Sequence, residues 1–79
     1  MAVWDEIVNA AHNQKTVEIT YMKKSGEVVI HEVEPYSVRG NLFYGYRVDV
    51  GEIRAFLIDN LIDARSTGNH FEPRWPIEL

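Results

Sequence analysis

Apolar residues recur along this chain first every three to four positions and then every second position, and the change of period divides it. Trp4, Ile7, Val8 and Ala11 stand at i, i+3, i+4 and i+7, one stripe of a helix over residues 2–12. Asp5 and Glu6 fall in its first turn, where negative charge complements the helix dipole. Asn13 is the predicted left-handed stop, with Lys15 just beyond. Such a helix covers one end of a barrel or sheet, with recognition of a partner helix the alternative.

From residue 16 the period is two. Val17, Ile19 and Tyr21 alternate with Thr16, Glu18 and Thr20, a half-buried strand over residues 16–22. Lys23-Lys24-Ser25-Gly26 makes a turn, and a second strand runs from Val28 to Tyr36, its ladder interrupted or ended at Pro35, which has no N–H to donate. Gly40-Asn41 is a two-residue hairpin signal. A third strand comes next over Leu42–Val48, then a turn at Asp49-Val50-Gly51-Glu52 and a fourth strand over Glu52–Leu57. After a tight connection at Asp59-Asn60, a fifth covers Leu61–Arg65, and Ser66-Thr67-Gly68-Asn69 closes it as a loop. Residues 66–79 form an extended tail anchored by Phe71 and Trp75. One helix and five closely spaced strands leave no room for helical crossovers, so the expected fold is mainly β. The expected architecture is a five-stranded antiparallel Sm-like or SH3-like barrel over residues 16–65, with an OB-type barrel second.

Composition narrows the picture. At 79 residues the chain reads as one small domain, whose core supplies only about 3–5 kcal/mol of net stability. It has no cysteine, so neither disulfides nor a thiolate zinc site staple it, and burial against a second copy or a protein partner is expected. No apolar run approaches the ~18–20 residues that span a bilayer, and the N-terminus lacks the layout of a secretory signal. A cytoplasmic protein without membrane contact is the expectation. Twelve acidic residues against eight basic ones give a net charge of −4, which argues against charge-driven binding to duplex DNA but leaves room for a local basic groove.

Candidate chemistry is sparse. Arg54 interrupts the apolar run Ile53-Arg54-Ala55-Phe56-Leu57, either held for a ligand or paired with Glu34, Glu52 or Asp59. Tyr44 and Tyr46 share one face of the third strand with Leu42 and Val48, while Phe43, Gly45 and Arg47 take the other; the pattern leaves open which face is core. Beside Arg39, Arg47 and Arg54, those tyrosines can act as ordinary barrel residues or as a platform on which bases stack. His12, His31 and His70 show no metal-ligand spacing. A Gly-rich phosphate loop and a nucleophile motif are both missing, so no cofactor and no catalysis are expected.

The order Val17-x-Ile19-x-Tyr21, Gly26, Val33-x-Pro35, Gly45-Tyr46 and Arg54-x-Phe56-x-Ile58-Asp59-x-Leu61 resembles the WYL domain over about nine tenths of the chain. That family reads roughly V-x-I-x-Y, R-x-V-x-P, W-Y-L-x-G-Y and R-x-F-x-L-D-R-I. The resemblance implies an Sm-like barrel with a ligand-sensing, regulatory role, its ligand a nucleotide or a short single-stranded nucleic acid. The matching positions are Tyr21, Tyr46, Arg54 and Phe56. His31 stands in place of a family arginine, Asn41-Leu42-Phe43 in place of Trp-Tyr-Leu, and Asn60 in place of the arginine of L-D-R-I. The candidate ligand-binding set is therefore Arg54, Tyr46, Tyr21, Arg47 and His31, with His31 attracting phosphate only when protonated. The alternative is an interaction or oligomerisation module that kept the barrel and lost the ligand.

Overall fold

The computed structural model describes residues 3–79. Helix α1 (Val3–His12) is followed by β1 (Lys15–Met22), β2 (Val28–Arg39), β3 (Leu42–Arg47) and β4 (Glu52–Leu57), then a 3-10 turn (Ile58–Asn60) and β5 (Leu61–His70). The predicted helix start at Ala2 lies outside the described residues. All pairings are antiparallel, in the order β4-β3-β2-β1-β5, so the mainly β fold with one N-terminal helix is as the period predicts. The two edge strands are consecutive in the chain, joined by the 3-10 turn. At that junction the Leu57 N–H donates to the Tyr21 hydroxyl (3.1 Å) and the Ile58 N–H to the Asn41 carbonyl (2.8 Å). The end of β4 thereby meets β1, and the sheet curls into a barrel-like shape.

The alternating positions fill the interior. Val17 and Ile19 of β1, Val33 of β2, Phe43 of β3, Phe56 of β4 and Ala64 of β5 form one buried cluster with Ile7 and Ala10 of α1. The helix lies against β5 and β1, with Trp4 edge-on to Phe43 at 5.8 Å. Its buried stripe is Ile7, Ala10 and Ala11, with Val8 only half-buried, so the helix is turned slightly from the predicted stripe to let the small Ala10 approach the strands. The left-handed residue that ends it is Gln14 (φ 55), not Asn13, whose N–H still bonds the Asn9 carbonyl.

β1 begins one residue early, at Lys15 rather than 16, and three further boundaries differ from the sequence expectation. β2 does not end at Pro35–Tyr36 but runs to Arg39; the register slips between Pro35 and Ser37, a bulge that accommodates a proline without an N–H. β3 stops at Arg47, and Val48 enters the turn. β5 does not stop at Arg65. Ser66–Asn69, expected as a loop, continue the strand to His70, so the sheet ends there and the tail begins at Phe71. The reason is side-chain pairing. Thr16 donates to Glu32 at 2.6 Å and lies 2.6 Å from the Thr67 hydroxyl, while Asn69 reaches Glu32 at 3.3 Å. These polar residues satisfy one another across the ladder and have no need of a turn. The Gly40-Asn41 hairpin stands where predicted, with Arg39 opposite Leu42 and Gly40 at φ 57.

Candidate functional site

Register decides which candidates share a face. Across β3 and β4, Phe43 pairs with Phe56, Gly45 with Arg54 and Arg47 with Glu52, so all six point to the core side. Ile19 pairs with His31, and Val33 with Arg47, which puts His31 on that side as well. Tyr21 completes the set: its ring meets Phe56 edge-on at 5.1 Å, and the His31 ring lies 6.2 Å from the same Phe56. Arg54, Arg47, His31 and Tyr21 thus share the inward face of the barrel, toward its mouth.

The charges at the mouth are already matched. Arg47 holds Asp49 through two bonds, Nε to Oδ1 at 3.1 Å and Nη2 to Oδ2 at 2.6 Å. That hydrogen bonding holds the exposed Asp49 carboxyl below the usual carboxylate range. Arg54 sits 2.9 Å from Glu52 with its side chain 47% exposed; of the three partners open to it in the sequence, Glu52 is the one it takes. Burial lowers the His31 pKa from its ordinary value, the nearby Arg47 charge lowers it further, and Asp49 opposes both. The mouth therefore sets the Arg47–Asp49 and Arg54–Glu52 pairs beside an imidazole whose protonation is disfavoured, with the Lys23 charge acting in the same sense.

Tyr46 lies elsewhere. It faces Glu34 and Ile53 on the outer side of the sheet, opposite in sense to Arg54. There the tail supplies what the strands lack. The guanidinium of Arg74 stands 4.1 Å from the Tyr46 ring centroid, and Trp75 packs at 6.0 Å. Arg74 also donates to Glu34, which is 5% exposed, at 3.2 and 3.4 Å. The Tyr36 hydroxyl donates to the same carboxylate at 2.6 Å and accepts the Arg74 N–H at 3.0 Å. Burial, with the Glu34 carboxylate beside it, pushes the Tyr36 pKa up to about 12. Phe71 is buried with its ring edge-on to Tyr36 at 5.8 Å, and Trp75 meets the same Tyr36 ring edge-on at 5.2 Å, so both act as the anchors that the tail's composition suggests.

Sequence reasoning missed an outer groove of about 390 Å³ next to this cluster, lined chiefly by Tyr36, Ser37, Arg39, Tyr44, Ile53 and Trp75, with Pro76 and Glu78 at its border. The bulge creates it by turning Tyr36 and Ser37 outward in succession. Among the described residues there is no group of acidic and histidine side chains arranged to hold a metal, and no helix is long and apolar enough to cross a membrane.

No family model and no curated protein matches the chain. A solved structure does: proteasome accessory factor B/C (PafBC) of Arthrobacter aurescens superposes with a TM-score of 0.72 at 25% identity, covering 91% of this chain. This chain spans 12% of the length of that protein.

Proposed function

We propose that the chain is a cytosolic regulatory module of the WYL type that binds a nucleotide or a short single-stranded nucleic acid at the barrel mouth, with a binding rather than a catalytic role. The observation that carries the reading is the register, which puts Arg54, Arg47, His31 and Tyr21 on one face of the sheet. The likeness to PafBC, which contains a WYL domain, supports the regulatory part. Arg54 is the anion contact: its exposed pair with Glu52 is worth about 0–1 kcal/mol, so a phosphate can displace that carboxylate at small cost. Arg47, held from two sides by Asp49, positions the rim, and the neutral His31 and the Tyr21 ring offer a base polar and stacking contacts. Titration with nucleotides and short single strands at two salt concentrations tests this. Affinity should fall with salt, with a slope of about −0.7 per phosphate neutralised. Arg54→Ala should abolish binding while leaving the melting temperature nearly unchanged. Flat titrations, or unaltered binding by Arg54→Ala, end the reading.

A second reading, a module for protein interaction or self-association, draws on the same mouth: every arginine there is already matched by a carboxylate. Exposed Val28 and Ile30 on the outer side of β2 add an apolar surface that a partner can bury. A concentration-dependent dimer in sedimentation, together with flat nucleotide titrations, favours it.

A further inference from the structure

Arg47, Arg54, Arg65 and Arg74 each hold a carboxylate, whereas Arg39 holds none among the described residues. It stands at the outer groove, on the face opposite the barrel mouth, with Tyr36, Tyr44 and Trp75 beside it. We propose that this groove is a small-molecule site for a flat aromatic ring bearing an anionic group, independent of the mouth and of any ligand bound there. The half-buried Tyr44 and the exposed Ile53 offer surface for a ring, Trp75, 47% exposed, leaves part of its own face uncovered, and the buried Tyr36 backs the groove. A volume of about 390 Å³ suits a ligand of one or two rings. Arg39 supplies the cation, and its planar fork matches either a phosphate or a carboxylate.

Glu78 sharpens the chemistry. Its backbone N–H is fixed on the Tyr36 carbonyl at 2.7 Å, the residue borders the same groove, and its carboxylate has no cation partner among the described residues. A carboxylate there repels a second anion but accepts N–H or O–H donors. The ligand that satisfies both ends carries its anion toward Arg39 and a donor edge toward Glu78. A nucleoside monophosphate with a guanine-type base and a hydroxylated aromatic carboxylate both have this form, and the experiment separates them.

The test is a 15N-resolved NMR titration of the full chain with guanosine monophosphate and, separately, with 4-hydroxybenzoate. Neutral guanosine and inorganic phosphate serve as probes lacking the anion and the ring. At least one of the two aromatic anions should bind saturably, shifting the Arg39 and Tyr44 amides and the Trp75 indole. The two control probes should bind at least tenfold more weakly. Arg39→Gln and Tyr44→Leu should each weaken binding at least tenfold, and Arg54→Ala should leave it unchanged. Absence of saturation with both anions, shifts confined to the mouth, or full affinity in Arg39→Gln overturns the proposal. Loss of binding in Arg54→Ala with Arg39→Gln unaffected assigns the ligand to the mouth instead.

Discussion

The Tyr36 hydroxyl is one of the groups that fix the tail to the sheet, and Tyr36→Phe isolates it. The hydroxyl donates at 2.6 Å to Glu34, a carboxylate that is 5% exposed, and accepts the Arg74 N–H at 3.0 Å. A hydrogen bond to a charged group contributes about 1.5–3 kcal/mol. Arg74 still donates to Glu34 after the substitution, so the carboxylate is not abandoned, and the freed Arg74 N–H lies on an exposed residue where water replaces the hydroxyl. The expected loss sits low in that range, about 2 kcal/mol, or roughly 8–16 °C in a domain of this size. Urea denaturation at neutral pH measures it, and an unchanged m-value shows that only the folded state was altered. The alkaline limb provides a second readout. The folded-state pKa of about 12 lies above the ordinary 10.0 of the unfolded chain, so the unfolded chain loses its proton first. Stability from this group is complete below pH 10 and drains away as pH rises through the folded value, and Tyr36→Phe should remove that part of the slope. A Tyr36→Phe midpoint equal to wild type would refute the reasoning and mean that water already satisfies Glu34.

Gly45→Ala should destabilise by about 1–2 kcal/mol, because a Cβ there falls 3.2 Å from both the Phe43 ring and the Val33 Cβ; an unchanged denaturation midpoint would show that Phe43 yields freely. Phe56→Ala should cost about 3–5 kcal/mol by opening a cavity among Tyr21, Phe43 and His31, and wild-type thermal stability would contradict the packing described. The folded-state pKa of His31 lies below the unfolded 6.5, so the unfolded chain takes up the proton first and stability falls as pH drops below that value. His31→Asn should flatten this acid limb, and an NMR titration giving His31 a pKa at or above 6.5 would reverse the sign.

The strands and the helix were legible because each is a repeat that burial enforces. Val17 and Ile19 are fully buried, and the Glu52–Leu57 strand has the bounds that its pattern predicts. The face of Arg54 was harder to see. Alternation within the third strand separates Tyr46 from Gly45, but only the cross-strand register shows that Arg54 stands opposite Gly45. Without it, Tyr46 and Arg54 look like neighbours in one site. The outer groove was hidden for two reasons. A bulge breaks the alternation by turning Tyr36 and Ser37 the same way, and the wall formed by Trp75 comes from a tail with no period at all. Ser66–Asn69 misled because threonine, glycine and asparagine are common in turns, whereas here Thr67 and Asn69 complete a polar cluster with Thr16 and Glu32.

The two faces therefore ask different things of an anion. At the mouth, Arg47–Asp49 and Arg54–Glu52 are pairs two residues apart in sequence, so each arginine's nearest carboxylate is fixed to it by the backbone. A nucleotide's phosphate arriving there exchanges one anion for another at Arg54 and leaves the displaced Glu52 carboxylate close by, which reduces its net gain. On the outer face Arg39 has no such carboxylate among the described residues, so an anion there gains a new interaction. In a chain of net charge −4 that difference matters, since long-range attraction for anions is absent and selection rests on local geometry. Removing Glu52 should consequently strengthen anion binding at the mouth, by freeing Arg54, and leave the outer groove unaffected. A Glu52→Gln protein whose nucleotide affinity equals or falls below that of wild type would mean that Glu52 orients Arg54 rather than competing for it.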